Sequence, residues 1–174
     1  MTTPGTNLPV RPPDGTNLAE GHAPHEQFIT FRIGGEEYGI DILTVREIKA
    51  WSAVTELPNT PEFVLGVLNL RGIILPVFDL RCRFGMGRTA PGERHVIIIV
   101  NAGDKLIGVL VDLVAEILTL ADAEVRAVPE MGFTIDQEFL FGLAAVGERL
   151  VALIDVEHLF DIATLLDVTT HNET

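Results

Sequence analysis

The chain predicts a mainly β fold built as two small antiparallel barrels packed together, and three observations predict it. The first is an internal repeat. Phe28 to Ile48 returns at an offset of 69 as Ile97 to Ile117, with Gly34, Gly39, Val45, Glu47 and Ile48 recurring as Gly103, Gly108, Val114, Glu116 and Ile117. At an offset of 76, Glu62-Phe63-Val64-Leu65-Gly66 returns as Glu138-Phe139-Leu140-Phe141-Gly142, and Asp79-Leu80 as Asp155-Val156. Two collinear matches point to two copies of one unit. The second observation is that each copy is a series of short β-branched or aromatic runs broken by glycine turns. The third is composition: 174 residues with 47% hydrophobic content are ample for one core or two tightly joined ones.

The elements follow in order. Residues 1–26 read as a disordered tail, because half of the ten prolines fall there (Pro4, Pro9, Pro12, Pro13, Pro24) and no apolar period recurs. His22 and His25 lie in that tail and read as solvated side chains rather than metal ligands. The domain proper runs from 27 to 166, with the two barrels at 27–90 and 91–162. Phe28–Ile33 and His95–Val100 are opening strands, followed by turns at Gly34-Gly35 and Ala102-Gly103-Asp104. Tyr38–Ile42 and Leu106–Val111 are the return strands. Ile73–Phe78 and Leu150–Ile154 are later strands, and Pro76 assigns the first of these to an edge or a bulge. Asn59-Thr60-Pro61-Glu62 predicts the cap of a short helix, with Thr134-Ile135-Asp136-Gln137 as its counterpart. Apolar spacing of three and four predicts a C-terminal helix over Val156–Leu166.

Charge narrows the function classes. The net charge is −13, with 11 acids and 9 bases in residues 1–103 but 14 acids and 3 bases in residues 104–174. An acidic face of this kind repels phosphate backbones and argues against nucleic acid as a partner. No apolar run reaches the length of a membrane span, and the N-terminus lacks the charged-then-apolar order of a signal peptide. The single cysteine, Cys82, cannot make an internal disulfide. Together these lead to the expectation of a cytoplasmic protein that does not insert into a membrane.

No catalytic constellation emerges. Ser52 is the only serine and lies in no nucleophile elbow. Cys82 sits between Arg81 and Arg83, which would lower its pKa, but no paired base is evident. His95 and His158 are isolated and form no metal-spaced cluster. Gly85-Met86-Gly87-Arg88-Thr89-Ala90 matches a dinucleotide fingerprint only on the surface, because Pro91-Gly92 prevent a helix from opening there. Arg81, Arg83, Arg88 and Arg94 read as solvated or locally paired rather than as an anion site. A binding module without cofactor or metal is the class that remains. An enzyme using Cys82 is the alternative from another class.

The repeats differ where a binding function would: the first carries Asn69-Leu70-Arg71-Gly72 where the second reads Ala145-Val146-Gly147-Glu148, so Arg71 has no charged equivalent. The first of these segments also carries a resemblance. Glu37-Tyr38-Gly39-Ile40-Asp41-Ile42 with Val45-Arg46-Glu47-Ile48 resembles the CheW family of chemotaxis coupling proteins. So do Pro58 to Phe63, Gly66 to Gly72 and Ile74 to Arg81, and in the second half Ile107 to Asp112 and Phe141-Gly142-Leu143. The resemblance covers residues 27–162. It implies two five-stranded SH3-like barrels around a shared core, and a non-enzymatic scaffold joining the cytoplasmic tips of methyl-accepting chemoreceptors to the regulatory domain of the histidine kinase CheA. A coupler in a non-flagellar chemosensory system is the alternative within the family. By resemblance, Val45, Glu47, Ile48, Gly66, Leu70, Arg71 and Val111 form a receptor-binding groove, and Ile42 contacts the kinase. Gly66 would admit a helix backbone, and Glu47 and Arg71 would pair, as the matching family residues do. The competing reading makes Ile42, Val45, Ile48, Leu70 and Val111 plain core.

Overall fold

The computed structural model describes residues 26–120, 125–127 and 139–160. Its strands are β1 Glu26–Ile33, β2 Glu36–Asp41, β3 Val45–Ala50, β4 Val64–Leu70 and β5 Ile73–Asp79, then β6 Val96–Ala102, β7 Lys105–Val111, β8 Leu113–Leu120, β9 Val125–Arg126, β10 Leu140–Val146 and β11 Arg149–Ile154. Two short helices, α1 Leu80–Arg83 and α2 Val156–Phe160, follow β5 and β11. The predicted tail up to residue 25 and the Thr134–Gln137 segment lie outside the described residues, as does the predicted C-terminal helix beyond Phe160, and Glu26, assigned to the tail, opens β1 instead.

Two sheets result, of five strands (β3-β6-β7-β5-β4) and six (β9-β10-β11-β2-β1-β8). Their orders are the same once each strand is replaced by its counterpart in the repeat. The sheets exchange hairpins: β1–β2 sits among the strands of the second repeat, and β6–β7 among those of the first. A cut between residues 90 and 91 therefore divides the repeats, not the sheets. At each seam the pairing is parallel, Val77–Gly108 in one sheet and Ala152–Tyr38 in the other, while every other ladder is antiparallel. The sixth strand, β9, is only two residues long. Its counterpart in the five-stranded sheet is the single bridge of Thr55 to Val67.

Burial explains the strand patterns. In β6, Ile97 and Ile99 pack into a core private to the five-stranded sheet, while Ile98 and Val100 face a core shared by both sheets. A strand buried on both faces reads as an unbroken apolar run. Phe28, Leu118, Val151 and Leu153 make the matching private core of the six-stranded sheet. The hairpin turns place Gly34 at φ 63 and Gly103 at φ 68, a left-handed conformation that glycine adopts without strain.

Two expectations are corrected. Residues 59–62 form no helix: Asn59 takes φ 58, and one turn closed by Val64 N–H donating to the Pro61 carbonyl (2.9 Å) leads directly into β4. Pro76 lies in a strand with neighbours on both sides, not in an edge strand or at the bulge. It is tolerated because β5 meets β7 only from Val77 onward, so the stretch up to Pro76 has β4 as its sole neighbour.

Candidate functional site

Five of the residues singled out in the first repeat lie along the two edge strands of the five-stranded sheet, which Glu47 and Arg71 join. Val45, Glu47 and Ile48 lie on β3, Leu70 ends β4, and Arg71 occupies the turn into β5. Val45 is half-buried against the shared core, and Leu70 is half-buried against the private one. Ile48 is 43% exposed.

The turn is the local feature that matters most. Arg71 has φ 50 and Gly72 φ 90, the pattern of a two-residue hairpin turn with both central residues left-handed. Asn69 Oδ1 accepts from the Gly72 N–H at 2.8 Å and braces the turn. From it the Arg71 guanidinium reaches across to Glu47 and forms an ion pair. Arg71 holds the Glu47 carboxyl below the usual carboxylate range, and Glu47 in turn raises the pKa of Arg71. The pair is exposed to solvent and joins the two edges of the sheet.

The second repeat carries a pair of the same kind, which sequence reasoning missed. Arg149 Nη2 lies 2.7 Å from Glu116, the counterpart of Glu47, and Nη1 lies 3.3 Å from Glu37 on β2. Its pKa is raised, chiefly by the hydrogen bond to Glu116 and then by Glu37. The arginine has shifted along the turn: Gly147, at φ 61, takes the left-handed position and Arg149 opens the next strand. The signal was present in the recurrence of Glu47 as Glu116, whose partner the collinear alignment placed at an uncharged residue.

Two further candidates, Val111 and Gly66, are not where a contact surface requires them, and a third, Ile42, lies partly at the surface. Val111 is 1% exposed and packs in the shared core, so its assignment to the groove is corrected. Gly66 does serve a close backbone approach, but the approaching chain is its own: a Cβ there would lie 2.3 Å from the Thr55 carbonyl oxygen. That space is already filled by the bridge of Thr55 to Val67. Ile42 sits half-buried in the 3-10 turn of Ile42–Thr44, neither core nor open surface, beside Leu43 at 84% exposure. Four of the other exposed apolar side chains form counterpart pairs, Ile48 with Ile117 and Ile74 with Leu150, while Ile73, Leu113 and Phe141 have no exposed apolar counterpart.

Cys82 does not read as a nucleophile. Burial pushes its thiol up, with Asp79 and Glu62 adding to the effect, so the expected activation by neighbouring arginines is corrected. Arg81 is instead directed to Asp112 at 3.8 Å, and Arg83 lies over the Phe63 and Phe139 rings. No group of metal-ligating side chains occurs among the described residues.

With this geometry in view, the comparisons with known proteins are direct. Residues 27–164 match the family model described as CheW-like domain. The chain belongs to the CheW-like family. It is 43% identical to a chemotaxis protein CheW from Klebsiella aerogenes over 139 residues, covering 80% of this chain and 84% of that protein. It is 42% identical to a probable chemotaxis protein CheW from Rhizobium etli, covering 77% and 86%. Protein FrzA from Myxococcus xanthus matches at 29% identity over 84% of this chain and 92% of that one. Among solved structures, the scaffolding protein TtCheW from Thermoanaerobacter tengcongensis aligns with a TM-score of 0.74 at 34% identity, covering 79% of this chain and 93% of that chain. That relative is a scaffolding protein, and its fold matches the pair of β-units described above. No helix among the described residues is long and apolar enough to cross a membrane.

Proposed function

We propose that this chain is a non-enzymatic coupling scaffold of bacterial chemotaxis, which links the cytoplasmic tips of chemoreceptors to the histidine kinase CheA and works in the cytoplasm at membrane-associated receptor arrays. The observation that carries the reading is the conformation of Arg71. A non-glycine residue in the left-handed region costs energy, and the same turn of the second repeat uses Gly147. That cost places a guanidinium where it pairs with Glu47 and joins the two edge strands. The receptor-facing surface is then Val45, Glu47, Ile48, Leu70 and Arg71, an apolar strip with one oriented ion pair, which suits an amphipathic helix. Ile42, with Leu43 beside it, is the candidate contact for the kinase regulatory domain. The likeness to FrzA favours a second reading, a coupler whose array controls an output other than flagellar rotation.

A reconstituted array of receptor, CheA-like kinase and this protein tests the proposal. Arg71→Glu should abolish receptor control of the kinase, and the exchanged pair Arg71→Glu with Glu47→Arg should recover part of it. Full control in Arg71→Glu would overturn the assignment of this surface. Cys82→Ala should keep wild-type coupling; loss of coupling without loss of fold would revive a role for the thiol.

A further inference from the structure

The two β-units meet through an apolar shared core, and contacts of that kind are non-directional: they hold surfaces together without setting the angle between them. Directional contacts cross this boundary at Asp112, which accepts from Gly34 N–H at 2.8 Å and lies 3.8 Å from Arg81, and, at the point where the repeats are equivalent, at Arg83. Phe63 and Phe139 are counterparts at an offset of 76, and each stands immediately before a strand of a different sheet, β4 and β10. The Arg83 guanidinium carbon lies 5.2 Å from the Phe63 ring centroid and 4.4 Å from that of Phe139. Phe139 is 5% exposed, and Phe63 also meets the buried Phe78 ring at 6.1 Å.

We propose that Arg83 is a positioning residue that pins the angle between the two β-units by lying on the faces of both rings. A planar guanidinium suits this role because it stacks on an aromatic face and is weakly hydrated, whereas an ammonium keeps its water more strongly. The base of the side chain is held as firmly as its tip. Arg83 is the last residue of α1, whose N-cap Asp79 is fully buried and accepts hydrogen bonds from Cys82 N–H (3.3 Å), Thr89 N–H (2.6 Å) and Thr89 Oγ1 (2.8 Å). The repeat supplies no second pin of this kind, because the position equivalent to Arg83 is Leu159. The inference extends to coupling only through the proposed function: Val45 is one of the proposed receptor contacts, and it and its counterpart Val114 both pack against the shared core, so a change of angle between the units would move them relative to each other.

The test measures the angle independently of coupling. Spin labels at Lys105, which opens β7, and Glu148, in the β10–β11 turn, report one sheet each, and both positions are exposed. In a Cys82→Ala background, Arg83→Leu installs the residue type found at the counterpart position. It should shift or broaden the interspin distance distribution beyond the wild-type spread, and Arg83→Lys should lie between the two. An Arg83→Leu distribution identical to wild type would overturn the pin. If Arg83→Leu does not fold, Phe63→Leu keeps the cation and removes one ring: a broadened distribution supports the pin and an unchanged one overturns it. Kinase control is measured on the same variants. An altered distance with wild-type coupling would leave the pin standing and overturn its role in coupling.

Discussion

Arg71 takes a backbone conformation that its counterpart fills with glycine, and this separates its contribution to folding from its contribution to binding. Arg71→Gly relieves the left-handed strain at φ 50 while removing the ion pair to Glu47. The thermal midpoint should therefore stay the same or rise, while receptor control of the kinase falls; a marked drop in midpoint would make the pair structural. Arg149→Ala should behave differently. Glu37 is a buried residue whose side chain is 6% exposed, and the substitution leaves its carboxylate without the partner at 3.3 Å. Its midpoint should fall by about 3 °C or more, further than that of Arg71→Ala, and equal midpoints would refute the difference. The Glu47 carboxyl provides a third readout. Because its folded-state pKa is lowered, the contribution of the pair is present above the unfolded-state pKa and lost as pH falls through the lowered one. NMR titration should find Glu47 protonating below the ordinary carboxylate range in wild type, and Arg71→Ala should return it upward.

At the scale of elements, the readable signals were those with a local cause. Both hairpins and the return strands were legible because glycine turns and β-branched runs act within a few residues. The ion pair of the first repeat was legible through a family resemblance, not through spacing. What the sequence could not show depends on packing between distant segments. Val111 has the same apolar character as the exposed Ile48, and only the position of β7 inside the shared core separates them. Residues 59–62 carry a helix cap signature, yet β4 begins too soon after it for a helix to form. Gly66 was correctly read as a point of close approach but assigned to the wrong chain. That distinction is measurable. Gly66 has φ 150, and a methyl group there meets the Thr55 carbonyl oxygen at 2.3 Å. Gly66→Ala should lower the thermal midpoint strongly and reduce coupling only in proportion to the protein unfolded. A stable Gly66→Ala protein that fails only in receptor binding would restore the helix-approach reading.

For the whole molecule, the exchange of hairpins follows from connection length. Within each sheet, the strand after a hairpin runs antiparallel to the hairpin's first strand: β3 against β6 and β8 against β1. Had β3 stayed in the sheet of its own hairpin, beside β1, it would have to run parallel to β2 with β1 between them, and parallel strands that follow one another need a crossover of roughly a dozen residues or more. Only Ile42–Thr44 joins β2 to β3, and only Asp112 joins β7 to β8. Asp112 is also held in place, accepting from Gly34 N–H at 2.8 Å and lying near Arg81 and His95. The chain therefore has no route to two self-contained units. Each repeat must lend its hairpin to the other, which buries one core shared by both. It follows that neither repeat should fold alone. Fragments 26–90 and 91–174, separated in the loop between α1 and β6, should each lack a cooperative thermal transition by circular dichroism. Each keeps a hairpin and its later strands but lacks the strands that flank that hairpin. Mixed, they should regain the β spectrum and a single transition, with a midpoint that rises with concentration. A cooperative transition in either fragment alone would show that a repeat can close its own sheet, and the argument from connection length would fail.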